Sequence, residues 1–149
     1  MFDYCKIPVD VVKLSEDAKL PKKSNPDDVG FDVCSHDETF ELKPNEIKPV
    51  GTGLRMSFKR YVKCEVLPRS GLPLKGITVA NSPGTIEGNY RNEYKVILIN
   101  HSDKPFKIEK GDRIAQLCFV PAFDAEFNIV NELSESDRGM NGLGSSGVK

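Results

Sequence analysis

Five short stretches of this chain set charged or hydroxyl side chains beside glycines, an arrangement suited to binding and reacting with phosphates. Pro68-Arg69-Ser70-Gly71 joins a guanidinium and a hydroxyl to a permissive backbone. Arg forks onto phosphate oxygens, so the group suits a phosphate, although alone it also reads as a plain turn. Pro26-Asp27-Asp28-Val29-Gly30-Phe31-Asp32 gathers three carboxylates around a turn. It lacks the ordered oxygen ligands and closing Glu of a calcium loop, and alone it reads as a solvated loop. Asn81-Ser82-Pro83-Gly84-Thr85-Ile86-Glu87-Gly88-Asn89-Tyr90-Arg91 brackets one acid and one aromatic with polar groups, and a hairpin is its bland account. Gly111-Asp112-Arg113-Ile114-Ala115-Gln116-Leu117 is a turn entering a strand. Near the end, Gly139, Gly142, Gly144 and Gly147 let backbone N–H groups converge on an anion, with Arg138 at the entrance. No GxxxxGK[ST] run is present, so this is not the usual phosphate loop.

Short strands have to position these groups. Gly 12 and Pro 10 fall between short apolar runs, which is the punctuation of an all-β domain. In residues 61–67, Val62, Cys64 and Val66 face one way while Lys63 and Glu65 face the other. Residues 5–12, 29–34, 46–50 and 52–58 read as further strands, and Lys43-Pro44-Asn45-Glu46 and Glu109-Lys110-Gly111-Asp112 as turns. Residues 94–99 and 113–120 are apolar on both faces, so both faces should be covered, which hints at subunit packing. No long stretch holds a 3.6 period; one helical turn is expected around residues 70–75. A sandwich, barrel or jelly roll is the natural class. Composition changes at Ser134, which divides the chain into a β domain over 1–133 and a flexible glycine-rich arm over 134–149.

The remaining composition excludes more than it assigns. A chain of 149 residues fits one domain and can bury a core without disulfides or a structural metal. Lys+Arg 21 against Asp+Glu 22 gives net charge -1, so stable nucleic-acid binding is not expected. No apolar run approaches the ~18 residues of a membrane span, and no signal peptide is visible at the N-terminus, so no membrane association is expected. Cys5, Cys34, Cys64 and Cys118 are widely spaced and only His36 and His101 accompany them, which offers no zinc site. Free thiols point to the cytoplasm or another reducing compartment.

In their order and spacing the five stretches resemble the five motifs of the homotrimeric deoxyuridine triphosphatase (dUTPase) family, over residues from about 24 to 147. Pro68-Arg69-Ser70-Gly71-Leu72 and Gly111-Asp112-Arg113-Ile114-Ala115-Gln116-Leu117 are close to verbatim, and Arg138-Gly139-x-x-Gly142-x-Gly144-Ser145-Ser146-Gly147 is nearly so. The resemblance implies a jelly-roll-like β-barrel and a homotrimer whose three sites are shared between subunits. It also implies hydrolysis of dUTP to dUMP and pyrophosphate with Mg²⁺, which limits uracil in DNA and supplies dUMP. Asp32 would hold the metal through water. Arg69, Ser70, Gly71 and Gln116 would bind phosphate oxygens. Arg138 would arrive from another subunit, with Gly142, Leu143, Gly144, Ser145 and Ser146 closing over the substrate. Asn81 and the backbone at Gly84, Thr85 and Ile86 would read uracil. Tyr90 would exclude a 2′-OH, and Lys95 completes the substrate-binding set. Glu87 would activate the attacking water.

Three positions depart from the family pattern. Glu87 stands where the family has a catalytic Asp; the extra methylene moves the carboxylate by about 1 Å, a misplacement that can cost roughly 10²-fold. Gly88 and Asn92 are expected to let the hairpin backbone retreat and restore its position. Leu143 replaces a Phe that stacks on uracil, and Asn89 replaces a common acid, with no assigned effect. Two other functions fit the same scaffold: a dUTP-binding regulator weakened at Glu87, and a dCTP deaminase. Deaminase relatives usually lack the Arg-Gly-rich tail and the Tyr90 context.

Overall fold

The computed structural model describes residues 6–143. Among them the chain forms eleven strands and one 3-10 turn at Pro73–Lys75, the latter where the helical turn was expected. The longest pairing begins with β6 (Val62–Leu67), whose alternation holds: Val62, Cys64 and Val66 are buried, while Lys63 and Glu65 face outward and pair at 3.0 Å. Beside it runs β11 (Arg113–Pro121), and beyond that β2 (Phe31–Cys34); β8 (Gly84–Glu87) flanks β6 on the other side, giving the sheet order β2-β11-β6-β8. A second sheet joins β4 (Ile47–Gly51), β9 (Lys95–Asn100) and β7 (Ile77–Val79). Two antiparallel pairs complete the fold: β1 (Asp10–Lys13) with β5 (Leu54–Ser57), and β3 (Phe40–Leu42) with β10 (Phe106–Ile108). The result is the all-β, jelly-roll-like architecture expected from the sequence.

Between the sheets lies one core that includes Leu42, Val50, Ile77, Leu98, Ile114 and Leu117. Each such side chain contributes about 1.5–3 kcal/mol by leaving water. In β11 both Ile114 and Ala115 are buried although they are adjacent, because the register against β2 shifts between Arg113 and Ala115. That bulge rotates consecutive side chains onto covered faces. In β9 the expectation of two covered faces holds only in part: Val96 and Leu98 are buried, Ile97 and Ile99 half-buried, and Lys95 exposed. The expected strand over 5–12 is shorter, starting at Asp10, and residues 1–5 lie outside the described residues. At the turn after β10, Gly111 has φ 93, a left-handed conformation that favours glycine.

Strand β11 ends at Pro121, and Ala122 donates a last hydrogen bond to the Tyr61 carbonyl at 2.8 Å. Every described residue from Phe123 to Leu143 is exposed, including Phe123, Phe127, Ile129 and Leu133. The chain therefore leaves the barrel about a dozen residues before its composition changes at Ser134.

Candidate active site

Register across the four-stranded sheet aligns the first group of candidate residues. Asp32 on β2 lies opposite Gln116 on β11, and Gln116 lies opposite Leu67 at the end of β6. Directly opposed residues in antiparallel pairs share a face, so Asp32 and Gln116 sit side by side, with Arg69 just beyond the strand end. Asp32 is the hub. Its Oδ1 accepts from Arg69 Nε at 2.7 Å, and its Oδ2 accepts from Ser24 Oγ at 2.8 Å and Arg113 at 3.2 Å. Burial alone would raise the Asp32 pKa, but the Ser24 hydrogen bond and the Arg69 and Arg113 charges outweigh it and hold the carboxyl below its ordinary value.

Around this hub opens a cleft of about 530 Å³, lined in part by Asp32, Arg69, Ser70, Gly71 and Gln116. Gln116 Nε2 donates to the Pro68 carbonyl at 2.9 Å, which fixes the amide beside the Arg69 turn. Gly30 makes room for it: a Cβ at position 30 would lie 2.0 Å from Gln116 Oε1. Ser70 and Gly71 are exposed, with nothing near the missing Gly71 side chain. The cleft thus presents the Arg69 guanidinium, the Gln116 amide and the Ser24 and Ser70 hydroxyls toward one space, with Arg113 just outside it on Asp32, a donor set for phosphate oxygens.

Magnesium fits this donor set in one way. Asp28 also lines the cleft, but its oxygens already serve Asn25. Among the described residues no group of three or more His, Cys, Asp or Glu side chains could hold an ion. Asp32 can therefore meet a hydrated magnesium carried by a polyphosphate, whereas a cage made of protein ligands alone is missing.

The second group lies elsewhere. Strand β8 pairs with β6, placing Gly84 opposite Val66, Thr85 opposite Glu65, Ile86 opposite Cys64 and Glu87 opposite Lys63. Glu87 is exposed at the end of β6 remote from Leu67. It does not line the cleft with Arg69 and Gln116. Across the β7–β8 turn, Asn81 lays its amide over Gly84, where a Cβ would come within 3.1 Å of Nδ2. The Ser82–Pro83 peptide in this turn is cis. Tyr90 is partly exposed and its ring rests on buried Tyr94, with centroids 6.0 Å apart. Lys95 reaches Glu93 at 3.9 Å.

Gly88 makes a close backbone contact. A Cβ there would lie 2.2 Å from the Phe58 carbonyl oxygen, and the Phe58 N–H reaches back to the Gly88 carbonyl at 3.4 Å. The residue allows close backbone approach and ties the end of β8 to Phe58.

The third group is on the arm. Arg138 donates to the Asn141 carbonyl at 3.1 Å, while Gly142 and Leu143 are exposed and contact no other candidate; Gly144, Ser145 and Ser146 lie outside the described residues. Ser24 and Arg113, which complete the Asp32 hub, carried no functional signal of their own in the sequence. Arg113 lies in the Gly111–Leu117 stretch, three residues before Gln116. Of the cysteines, Cys34, Cys64 and Cys118 are free thiols, and burial pushes the Cys64 thiol up to about 12. No helix among the described residues is long and apolar enough to cross a membrane.

Comparison with known proteins fits this arrangement. A family model described as dUTPase matches residues 16–147. The deoxyuridine 5'-triphosphate nucleotidohydrolase of Nautilia profundicola is 44% identical, covering 92% of this chain and 96% of the relative. That of Hydrogenobaculum is 46% identical, covering 93% and 97%. Among solved structures, a Staphylococcus bacteriophage 80alpha dUTPase with dUPNHPP superposes with a TM-score of 0.86 at 28% identity, over 95% of this chain and 99% of the other.

Proposed function

This chain belongs to the dUTPase family, and from that premise we propose how its own residues divide the hydrolysis of dUTP to dUMP and pyrophosphate. The activity follows from the family; the assignment of roles is our reading. The observation that carries it is the cleft beside Asp32, where Arg69, Ser70 and Gln116 converge as phosphate ligands.

Arg69 and Arg113 are balanced by Asp32 alone, so the hub has a spare positive charge for the triphosphate. Gly71 leaves the backbone open to the same oxygens. Mg²⁺ bound by the triphosphate and, through water, by Asp32 would neutralise phosphate charge. Asn81 and the backbone of Gly84, Thr85 and Ile86 hold the uracil edge, and a site built to pair with it leaves groups unpaired against cytosine. Tyr90, braced by Tyr94, closes the deoxyribose side, and Lys95 adds charge nearby. Glu87 takes a proton from water as its oxygen bonds to the α-phosphorus. The bond to the bridging oxygen breaks, and pyrophosphate leaves.

Assembly as a homotrimer is part of this proposal. It is supported by the distance of Glu87 from the cleft and by the uncovered apolar side chains of the arm. One copy then supplies Glu87 to the phosphates held by another. The arm brings Arg138, Gly142 and Leu143 over the substrate, with Gly144, Ser145 and Ser146 following. A reducing compartment such as the cytoplasm suits the free thiols. Near-neutral charge gives no support for nucleic-acid binding.

Product analysis tests the reading. Purified protein with Mg²⁺ should release dUMP and pyrophosphate from dUTP and leave dCTP, dTTP and UTP intact. Tight binding of dUTP without turnover would overturn the role of Glu87, and ammonia from dCTP would overturn the substrate.

A further inference from the structure

Beside the phosphate cleft, and sharing Ser24 and Asp32 with it, runs a second groove of about 580 Å³. Its lining carries Lys19, Lys22, Lys23 and Arg113, and Asp32 is its one carboxylate. Lys22 is fixed by backbone pairing: its N–H donates to the Asp32 carbonyl at 3.1 Å, and the Asp32 N–H donates back at 2.8 Å. Opposed in this way, Lys22 extends the row of Asp32 and Gln116 by one place on the same face of the sheet. Lys19, Lys22 and Lys23 enter no ion pair among the described residues; Lys23 lies over the Phe31 ring and Lys19 near the Gly111 carbonyl.

An opposite charge set stands free on the arm. Residues 123–137 contain Asp124, Glu126, Glu132, Glu135 and Asp137 and no Lys or Arg. All five are exposed, and none enters an ion pair among the described residues. Glu132 to Asp137 spans at most about 18 Å of extended chain. If Arg138 reaches the phosphate cleft, the residues just before it must cross the adjoining surface.

We propose that Glu132, Glu135 and Asp137 of a second copy lie in the Lys19, Lys22 and Lys23 groove and so deliver Arg138 to the phosphates. This rests on the proposed function in one respect, that Arg138 serves the cleft of another copy. The groove is then the arm's electrostatic seat. Its occupation couples substrate affinity to charges that never touch the nucleotide, and salt weakens it within a Debye length of ~8–10 Å.

The test combines charge reversal on each side with two readouts on the full chain. Amide hydrogen exchange over residues 132–143 is followed with and without dUPNHPP and Mg²⁺, and KM for dUTP is measured in parallel. The nucleotide should slow exchange in the wild type. Lys22→Glu with Lys23→Glu, or Glu135→Lys with Asp137→Lys, should abolish that slowing and raise KM about tenfold. All four changes in one chain should restore both. Co-assembling the two reversed chains should recover about half the sites if the arm reaches a second copy. No recovery there, no rescue in the fourfold variant, or exchange indifferent to charge would overturn the proposal. A KM change with unaltered exchange would do so too, assigning the groove to pyrophosphate. Turnover of dUTP by the wild type judges the functional reading separately, because arm exchange is read with a nucleotide that is not hydrolysed.

Discussion

Glu87 and Gln116 flank the same strand from opposite ends: Glu87 pairs with Lys63 and Gln116 with Leu67 of β6. Strand rise and spacing put their backbones on the order of 16 Å apart. In the proposed mechanism a water activated by Glu87 would attack a phosphorus only a few ångströms from oxygens held at Gln116, so one copy alone would leave base and phosphate ligands too far apart.

Complementation follows from this separation. Glu87→Gln and Arg69→Ala chains should each be inactive alone. Mixed by co-refolding, they should recover activity at about a quarter of the sites, since some pair an intact Glu87 with an intact Arg69. Assay of the mixture checks it; no recovery would mean that each copy is self-sufficient.

Glu87→Gln should lower kcat by roughly 10²–10⁴ with little change in dUTP affinity, because the amide keeps the shape but takes no proton. Glu87→Asp should also lower activity. Gly88 is pinned against Phe58, so the end of β8 cannot advance to compensate for the shorter side chain. Steady-state kinetics of both variants decides the matter, and a large gain in the Asp variant would contradict it.

Gly88→Ala tests the pinning itself. The added Cβ meets a backbone carbonyl at 2.2 Å, which only a shift of main chain relieves. A loss of about 1–3 kcal/mol is expected, or a Tm lower by roughly 3–10 °C, measured by thermal unfolding.

The acid side of the stability profile should report Asp32. Its partners hold the folded pKa below the unfolded value, which lies near 3.9. A depressed carboxyl stabilises the fold fully above the unfolded pKa and loses that contribution as pH falls through the folded one. Asp32→Asn should therefore lower Tm at pH 7, with the gap to wild type closing below about pH 4. A gap that stays constant with pH would deny Asp32 this role.

Leu143→Phe should lower KM for dUTP. The leucine can cover uracil but has no aromatic face, and stacking contributes ~1–3 kcal/mol per base in single-strand binders. An unchanged KM would place residue 143 away from the base.

Legibility in the sequence followed element length. The alternation in β6 survived intact because six residues display three buried and three outward positions. Strands β3, β7 and β10 have three residues each, too few for a period to show. Of the site, Arg69, Ser70, Gln116 and Asp32 were legible as motif residues. Their convergence on one row was not, because it depends on strand register. Ser24 joins Asp32 from eight residues away and Arg113 from 81, through contacts that no local spacing announces. The packing of Gly88 against Phe58 was not legible either, because it is a contact between distant segments.

The uncovered arm has a consequence for the life of the chain before assembly. Phe123, Phe127, Ile129 and Leu133 stand in water on backbone outside any strand or helix, the kind of segment that proteases cut. In the proposed trimer those side chains are covered by partners. An unpartnered copy would advertise its own incompleteness, and its turnover in a cell would rise as its concentration fell below that needed for association.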